Sequence, residues 1–238
     1  MTRVNAHGQA IGDPVPGWAG ALPPWRVVLQ GADLRLEPVS ATHVPALYDA
    51  LCGPEDEPLW TYRFQDRPGS RDELATHVAT AEHDPHTVTF ALVPTGTGLA
   101  GGLATLMRVD AAQGSIEVGA IIFSRSLQRT RAATEAMALL AGHVFEDLGY
   151  RRYEWKCDSR NEPSRAAARR LGFAYEGRFR QAAVYKGRNR DTDWFAMTDG
   201  DWRRLRPAYD LWLNPVNFDP QGRQRVPLSE LTARALAD

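Results

Sequence analysis

Cysteine is nearly absent from this chain. Cys52 and Cys157 are the only two in 238 residues, too few for a disulfide framework. A pair of free thiols suits a reducing cytoplasm. No apolar run is long enough to span a bilayer, so no membrane partner is expected. Gly12, Asp13, Pro14, Pro16 and Gly17 stand where a signal peptide needs a continuous apolar region. An excess of one charge is missing too. The 28 Lys and Arg against 29 Asp and Glu leave a net charge of -1, which gives no general pull toward nucleic acid. The six histidines are scattered and no cysteine spacing marks a metal site, so no metal is expected.

What remains is an ordinary globular composition with ample length for a sizeable core. The chain is organised around Ser115 to Glu146. Ser115–Phe123 alternates like a strand, Ser124-Arg125-Ser126 turns, and a long helix follows in which Ala133, Met137, Leu140, Val144 and Leu148 mark one buried face. Such a join presents unpaired backbone N–H groups and a positive dipole end, a seat for phosphate. Arg125, Arg129 and Arg131 add charge, and the small Ala132 and Ala133 permit close approach. An ordinary strand-to-helix connection with solvated arginines has the same appearance.

Along the rest of the chain, Gly- and Pro-rich residues 1–26 read as an arm, with Trp18 and Trp25 as anchors. Val27–Leu29 and Leu34–Pro38 read as a hairpin, and helices follow from Ser40 or Thr42 and from Ser70. Between them lies a loop carrying Trp60, Tyr62 and Phe64, either a binding wall or aromatics tucked into the core. Strands are expected at 87–93, 99–109 and 115–123. After the long helix come a strand at 151–157, a helix capped by Asn161, a hairpin turning at Lys186–Asn189, and helices over 201–213 and near 226–237. The order predicts an α/β (α+β) fold with a mixed, mostly antiparallel sheet and helices on both faces.

Gln128-Arg129-Thr130-Arg131-Ala132-Ala133 resembles the acetyl-CoA pyrophosphate loop of the GCN5-related N-acetyltransferases, which reads Gln or Arg, two free positions, Gly, one free position, then Gly or Ala. Arg131 stands where that family has glycine. Asn161-Glu162-Pro163-Ser164 and Arg170-Leu171-Gly172-Phe173 are similar to the RimJ/RimL branch, which acetylates ribosomal protein N-termini and includes small-amine acetylators. The resemblance covers roughly Asp33 to Trp202. It implies a GNAT domain over 27–202 between the arm and a helical extension over 203–238, with acetyl-CoA as cosubstrate. It also implies that Gln128 to Thr134 (Gln128, Arg129, Thr130, Arg131, Ala132, Ala133, Thr134) hold the pyrophosphate. Ile121, Ile122, Phe123 and Asn161 would meet pantetheine, and Ser164 would lie near the sulfur as acid. Trp60, Tyr62 and Trp155 would face an amine-bearing acceptor, a protein N-terminus or a small molecule. A homodimer is the further partner state considered.

Glu117 is the candidate base. Strand alternation places it on a face with Gly119, Ile121 and Phe123, where apolar neighbours would raise its pKa. A solvated or arginine-paired glutamate is the alternative. An α-amine, with a pKa near 8, is partly neutral at pH 7, whereas freeing a lysine amine costs roughly 4 to 5 kcal/mol. A modest base therefore suits an α-amine or activated small amine. Cys157 reads as a strand core residue, so no covalent acetyl-enzyme is expected. A non-catalytic acyl-CoA sensor that keeps the fold is the alternative reading, and Arg131 is the feature in its favour.

Overall fold

The computed structural model describes residues 3–237; residues 1, 2 and 238, at the outer ends of the expected arm and extension, lie outside the described residues. The strands are β1 (Arg3–Val4), β2 (Ala10–Ile11), β3 (Leu29–Gln30), β4 (Leu34–Pro38), β5 (Val88–Pro94), β6 (Gly102–Asp110), β7 (Ser115–Phe123), β8 (Arg152–Asp158), β9 (Ala174–Tyr185) and β10 (Arg188–Thr198). The helices are α1 (Val44–Leu51), α2 (Arg71–His83), α3 (Arg131–Gly142), α4 (Glu162–Arg170), α5 (Asp199–Leu213) and α6 (Leu228–Ala237). A π turn over His143–Asp147 continues α3. Within the arm, β1 and β2 form a hairpin of their own, where the sequence suggests only extended chain.

The eight remaining strands make one sheet in the order β3-β4-β5-β6-β7-β8-β10-β9. Each pairing is antiparallel except β7 with β8. That exception follows from connectivity, because α3 is the crossover between them. α1 and α2 cover one face, burying Leu47, Leu51, Leu74 and Val78 against Ala91, Val93 and Ile122. α3 to α6 cover the other, over Phe90, Leu106, Tyr153 and Phe195. All five residues of the predicted buried face of α3 and its extension are buried. Trp18 anchors the arm by donating its indole N–H to the Ala112 carbonyl, and Trp25 sets its ring edge-on to His143.

The one parallel pairing is short. β7 and β8 meet only at Ser115–Arg152, Ile116–Tyr153 and Glu117–Glu154. Beyond Glu117 the strands part, and the β8-facing edge of 118–123 has no strand beside it. Just beyond the last pair, β7 is irregular. Leu103 pairs with Ile122 and Thr105 with Gly119, so Ala120 and Ile121 together oppose Ala104. This is a β-bulge, with Ala120 at φ 48°, and a bulge bends its strand and strengthens its twist.

Candidate active site

The bulge corrects the sequence reading of the strand face. Regular alternation would put Glu117 with Ile121 and Phe123. The extra residue reverses the order, so Ile121 and Phe123 pack toward the α3 side while Ile122 is buried on the α1/α2 side. Glu117 is therefore not set among apolar neighbours. Its carboxylate is buried, and Oε2 lies 2.8 Å from both Lys156 Nζ and Arg108 Nη1. Lys156 also reaches Glu154 Oε2 at 2.7 Å and stands 3.7 Å over the Trp194 ring. Glu117 Oε1 accepts no hydrogen bond among the described residues. It lies over Gly119, where an added Cβ would come within 2.9 Å of it.

The turn after β7 is built by its own side chains. Gln128 donates its Nε2 to the Phe123 carbonyl, and the Thr130 hydroxyl donates to Leu127 and accepts the Ala133 N–H as N-cap of α3. The N–H groups of Arg129, Arg131 and Ala132 are left without acceptors among the described residues. These three are the donors that fit a pyrophosphate. Thr134 is corrected: it is buried behind the turn, and its hydroxyl accepts from Arg170. Arg131 supplies its backbone only, because its guanidinium is paired with Asp33 and lies over Phe218. One turn on, Glu135 takes the N–H groups of Ala32, Asp33 and Leu34. Arg131 and Glu135 thus clamp the β3–β4 turn to α3, which accounts for an arginine at this position. Arg125 is spent on Asp56 and on Glu55. Arg129 has no ion-pair partner among the described residues, and its φ is 62°.

Asn161 caps α4 through the Ser164 N–H. The Ser164 hydroxyl accepts the Trp155 indole N–H at 2.9 Å, and Cys157 is buried on the same strand. Burial pushes the Cys157 thiol up to about 11, so it is protonated at neutral pH and unsuited to nucleophilic attack. Trp155 and Ser164 lie on the α4 side of β8, while Glu154 and Lys156 point to the other face. Ser164 and Glu117 therefore flank the opening from opposite sides. Trp155 is corrected: it is a buried core residue on the α4 side, not a wall of an open acceptor surface, whereas Trp60, also buried, lines the cavity beneath the loop that follows it. Trp60 is fixed by its indole N–H on the Leu51 carbonyl. On α4, Arg165 and Arg169 face Glu162, and Arg165 also holds the buried Asp193.

The loop after Trp60 straps across the opening. Tyr62 donates to the Arg160 carbonyl on the far lip, and Arg63 Nη1 donates to the Ala120 carbonyl at 2.8 Å and the Ile121 carbonyl at 3.2 Å on the near lip. Lys186, at the β9–β10 tip, bonds the Trp60 carbonyl and Asp66. Beneath the strap is a cavity of about 230 Å³ lined by Trp60, Arg63, His77, Thr89, Met107 and Ala120 among others. Sequence reasoning missed Arg63, Lys156 and Arg108. The only signal for Arg63 was its place beside the loop aromatics.

A sheet parted beside a free helix N-terminus is the arrangement of a transferase that docks a nucleotide-linked acyl donor. The comparisons name the family. The model of the acetyltransferase (GNAT) domain matches residues 33–174. A GCN5-related N-acetyltransferase from Brucella melitensis is 41% identical over 92% of this chain and 100% of its own, with a TM-score of 0.90. A probable GNAT-family acetyltransferase from Chromobacterium violaceum is 38% identical over 82% and 98%, with a TM-score of 0.77. RimL, a ribosomal L7/L12 alpha-N-protein acetyltransferase in complex with coenzyme A, is 20% identical over 72% and 98%, with a TM-score of 0.63, which shows the fold alone. No curated protein matches. The chain belongs to the GNAT acetyltransferases; it is an acyltransferase, and acetyl-CoA is its cosubstrate.

Proposed function

We propose that the chain transfers acetyl directly from acetyl-CoA to a primary amine, as a member of the RimJ/RimL-like branch. The observation that carries this is the unpaired edge of β7 beyond Glu117, next to the free N–H groups of Arg129, Arg131 and Ala132. Ile121, Ile122 and Phe123 offer that edge to pantetheine, with Asn161 on the opposite lip. The amine nitrogen forms the new C–N bond as the C–S bond breaks, and a backbone N–H near Ile121 holds the oxyanion between those events. The amine proton leaves toward Glu117 Oε1, directly or through water. Ser164 lies on the side where the thiolate departs and takes the acid role. Two buried free cysteines favour a cytoplasmic setting. The sensor reading loses its support, because the Arg131 side chain is engaged by Asp33 and leaves the turn's backbone open.

The test is thiol release from acetyl-CoA against a panel of amines. Glu117→Gln and Ser164→Ala are each expected to lower turnover about tenfold, the modest value that suits an amine already partly neutral. Release with no amine at all, or no effect of either change, would overturn the mechanism.

Arg129 gives a further expected result. Its left-handed backbone costs about 1–2 kcal/mol, more than the roughly 0.4–1 kcal/mol of extra unfolded-state entropy that glycine brings. Arg129→Gly should therefore raise the melting temperature by about 1–3 °C. The same change should weaken acetyl-CoA binding, since it removes the turn's one unengaged cation. A calorimetric melt and a binding titration check the two halves separately.

A further inference from the structure

Arg63 carries a charge that no carboxylate answers. No acidic side chain forms an ion pair with it among the described residues, although most arginines around it are paired. Nη1 is used on the Ala120 and Ile121 carbonyls. Nε is buried and has no hydrogen-bond partner. The Trp60 ring lies 5.2 Å beneath the guanidinium. Burial pulls the guanidinium pKa down to about 10, which leaves it charged at neutral pH. Arg63 is half-buried, and a cation held there with no countercharge gives up part of its hydration. Nη2 makes no hydrogen bond among the described residues and, unlike Nε, is not shut off from solvent, so it is the atom left to meet a carboxylate.

The setting gives that edge a ligand-sized space. Arg63 lines the cavity of about 230 Å³, the room of roughly eight waters at about 30 Å³ each. Thr80, Thr87, Thr89 and Thr105 line it with Leu74, Leu103 and Met107, while the one acid among its lining residues, Asp84, is occupied by the His86 N–H and the Thr87 hydroxyl. The same guanidinium touches both bulge carbonyls, and Ala120 itself lines the cavity, so the cavity reaches β7 at the bulge.

We propose that Arg63 is the acceptor clamp, and that the acceptor is a small primary amine bearing a carboxylate, of free amino-acid size. This rests on the acetyl-transfer reading above and narrows it. A protein N-terminus places a neutral amide after its first residue, which leaves Arg63 unanswered. A polyamine adds further cations beside it. A free amino acid brings the amine and the anion together at the required short separation.

The experiment compares free amino acids with their decarboxylated amines and their carboxamides, in the full chain with acetyl-CoA. The carboxylated acceptors are expected to have kcat/KM at least tenfold higher, the value of one charge-assisted hydrogen bond or more. Arg63→Met also loosens the bulge and so lowers use of every acceptor, but it should raise KM for the carboxylated ones at least tenfold more than for the neutral amines, with the two classes losing kcat alike. Arg63→Lys should recover part of the loss. Arg63→Met also removes bonds to the bulge, so a thermal melt accompanies each assay. Binding of N-acetyl amino acids, the expected products, is measured in parallel by calorimetry. Binding to the parent and not to Arg63→Met supports the clamp even if no amine is turned over, a result that would sink acetyl transfer alone. Equal use of neutral and carboxylated amines, or equal losses for both in Arg63→Met, overturns the clamp.

Discussion

Replacing Lys156 by methionine is expected to destabilise the protein by about 3 kcal/mol at pH 7. Lys156 sits between Glu117 and Glu154, with side-chain exposures of 8%, 4% and 13%. The two glutamates face each other across the short parallel pairing. Methionine keeps the length and apolar stem but leaves two carboxylates opposed in a site that water barely reaches. Breaking a buried pair by deleting one partner costs about 3–5 kcal/mol. The lower end applies because Arg108 still reaches Glu117 and Arg152 still reaches Glu154. The pH dependence has a definite sign. Burial pushes the Glu154 carboxyl up, but hydrogen bonds and charge from Lys156 and Arg152 outweigh it and hold the pKa below the ordinary value. A depressed carboxylate adds stability above its unfolded pKa, near 4.3, and loses it as pH falls through the folded value. The gap between parent and Lys156→Met should thus be widest above about pH 4.5 and narrow below it. Urea unfolding of both at pH 7 and pH 4 checks this. A difference under 1 kcal/mol at pH 7 would mean that the triad is solvated and adds nothing. Adding Glu154→Gln to Lys156→Met should return part of the loss, which separates like-charge repulsion from lost packing.

The order of elements and the position of the phosphate turn were legible in the chain because both are local. Periodicity marks β7 and α3, and the polar turn between them needs no distant partner. The bulge at Ala120 was not legible. It exists in the pairing of β7 with β6, where two residues oppose Ala104, and the isolated Gly119 beside it is the one local sign. Missing it placed Glu117 with the wrong neighbours. Lys156 escaped notice for a related reason: its meaning depends on the Glu117–Glu154 register, 37 positions apart in the chain. Trp155 reads as an acceptor contact in the sequence, but a large aromatic at this position fills the core with its indole N–H satisfied there. Arg131 looked like damage to a motif. It is a tie between α3 and the β3–β4 turn, which a search for glycine has no means to see.

Deleting Ala120 is expected to give a folded protein with acetyl transfer reduced roughly a thousandfold. Ala120 and Ile121 share one partner position, so removing Ala120 leaves Ile121 opposite Ala104 and keeps Leu103–Ile122 and Thr105–Gly119 in register. The sheet loses a bend, not a pairing. The bend is what we hold responsible for the parting of β7 from β8. Without it the edge of 118–123 stays close to β8, where pantetheine would enter, and the N–H near Ile121 no longer points at the developing oxyanion. Loss of an oxyanion donor is worth about a hundred- to a thousandfold, and a displacement near 1 Å about a hundredfold. Arg63 also loses the Ala120 carbonyl, so the strap should loosen and the melting temperature should drop by a few degrees. Far-ultraviolet circular dichroism and a thermal melt establish that the variant folds. Acetyl-CoA titration then separates donor binding from chemistry. If the variant folds, binds acetyl-CoA as tightly as the parent and keeps its turnover, the parting of the strands has another origin. The short pairing of β8, held on its other side by β10 from Arg152 to Asp158, would then be the element that sets it.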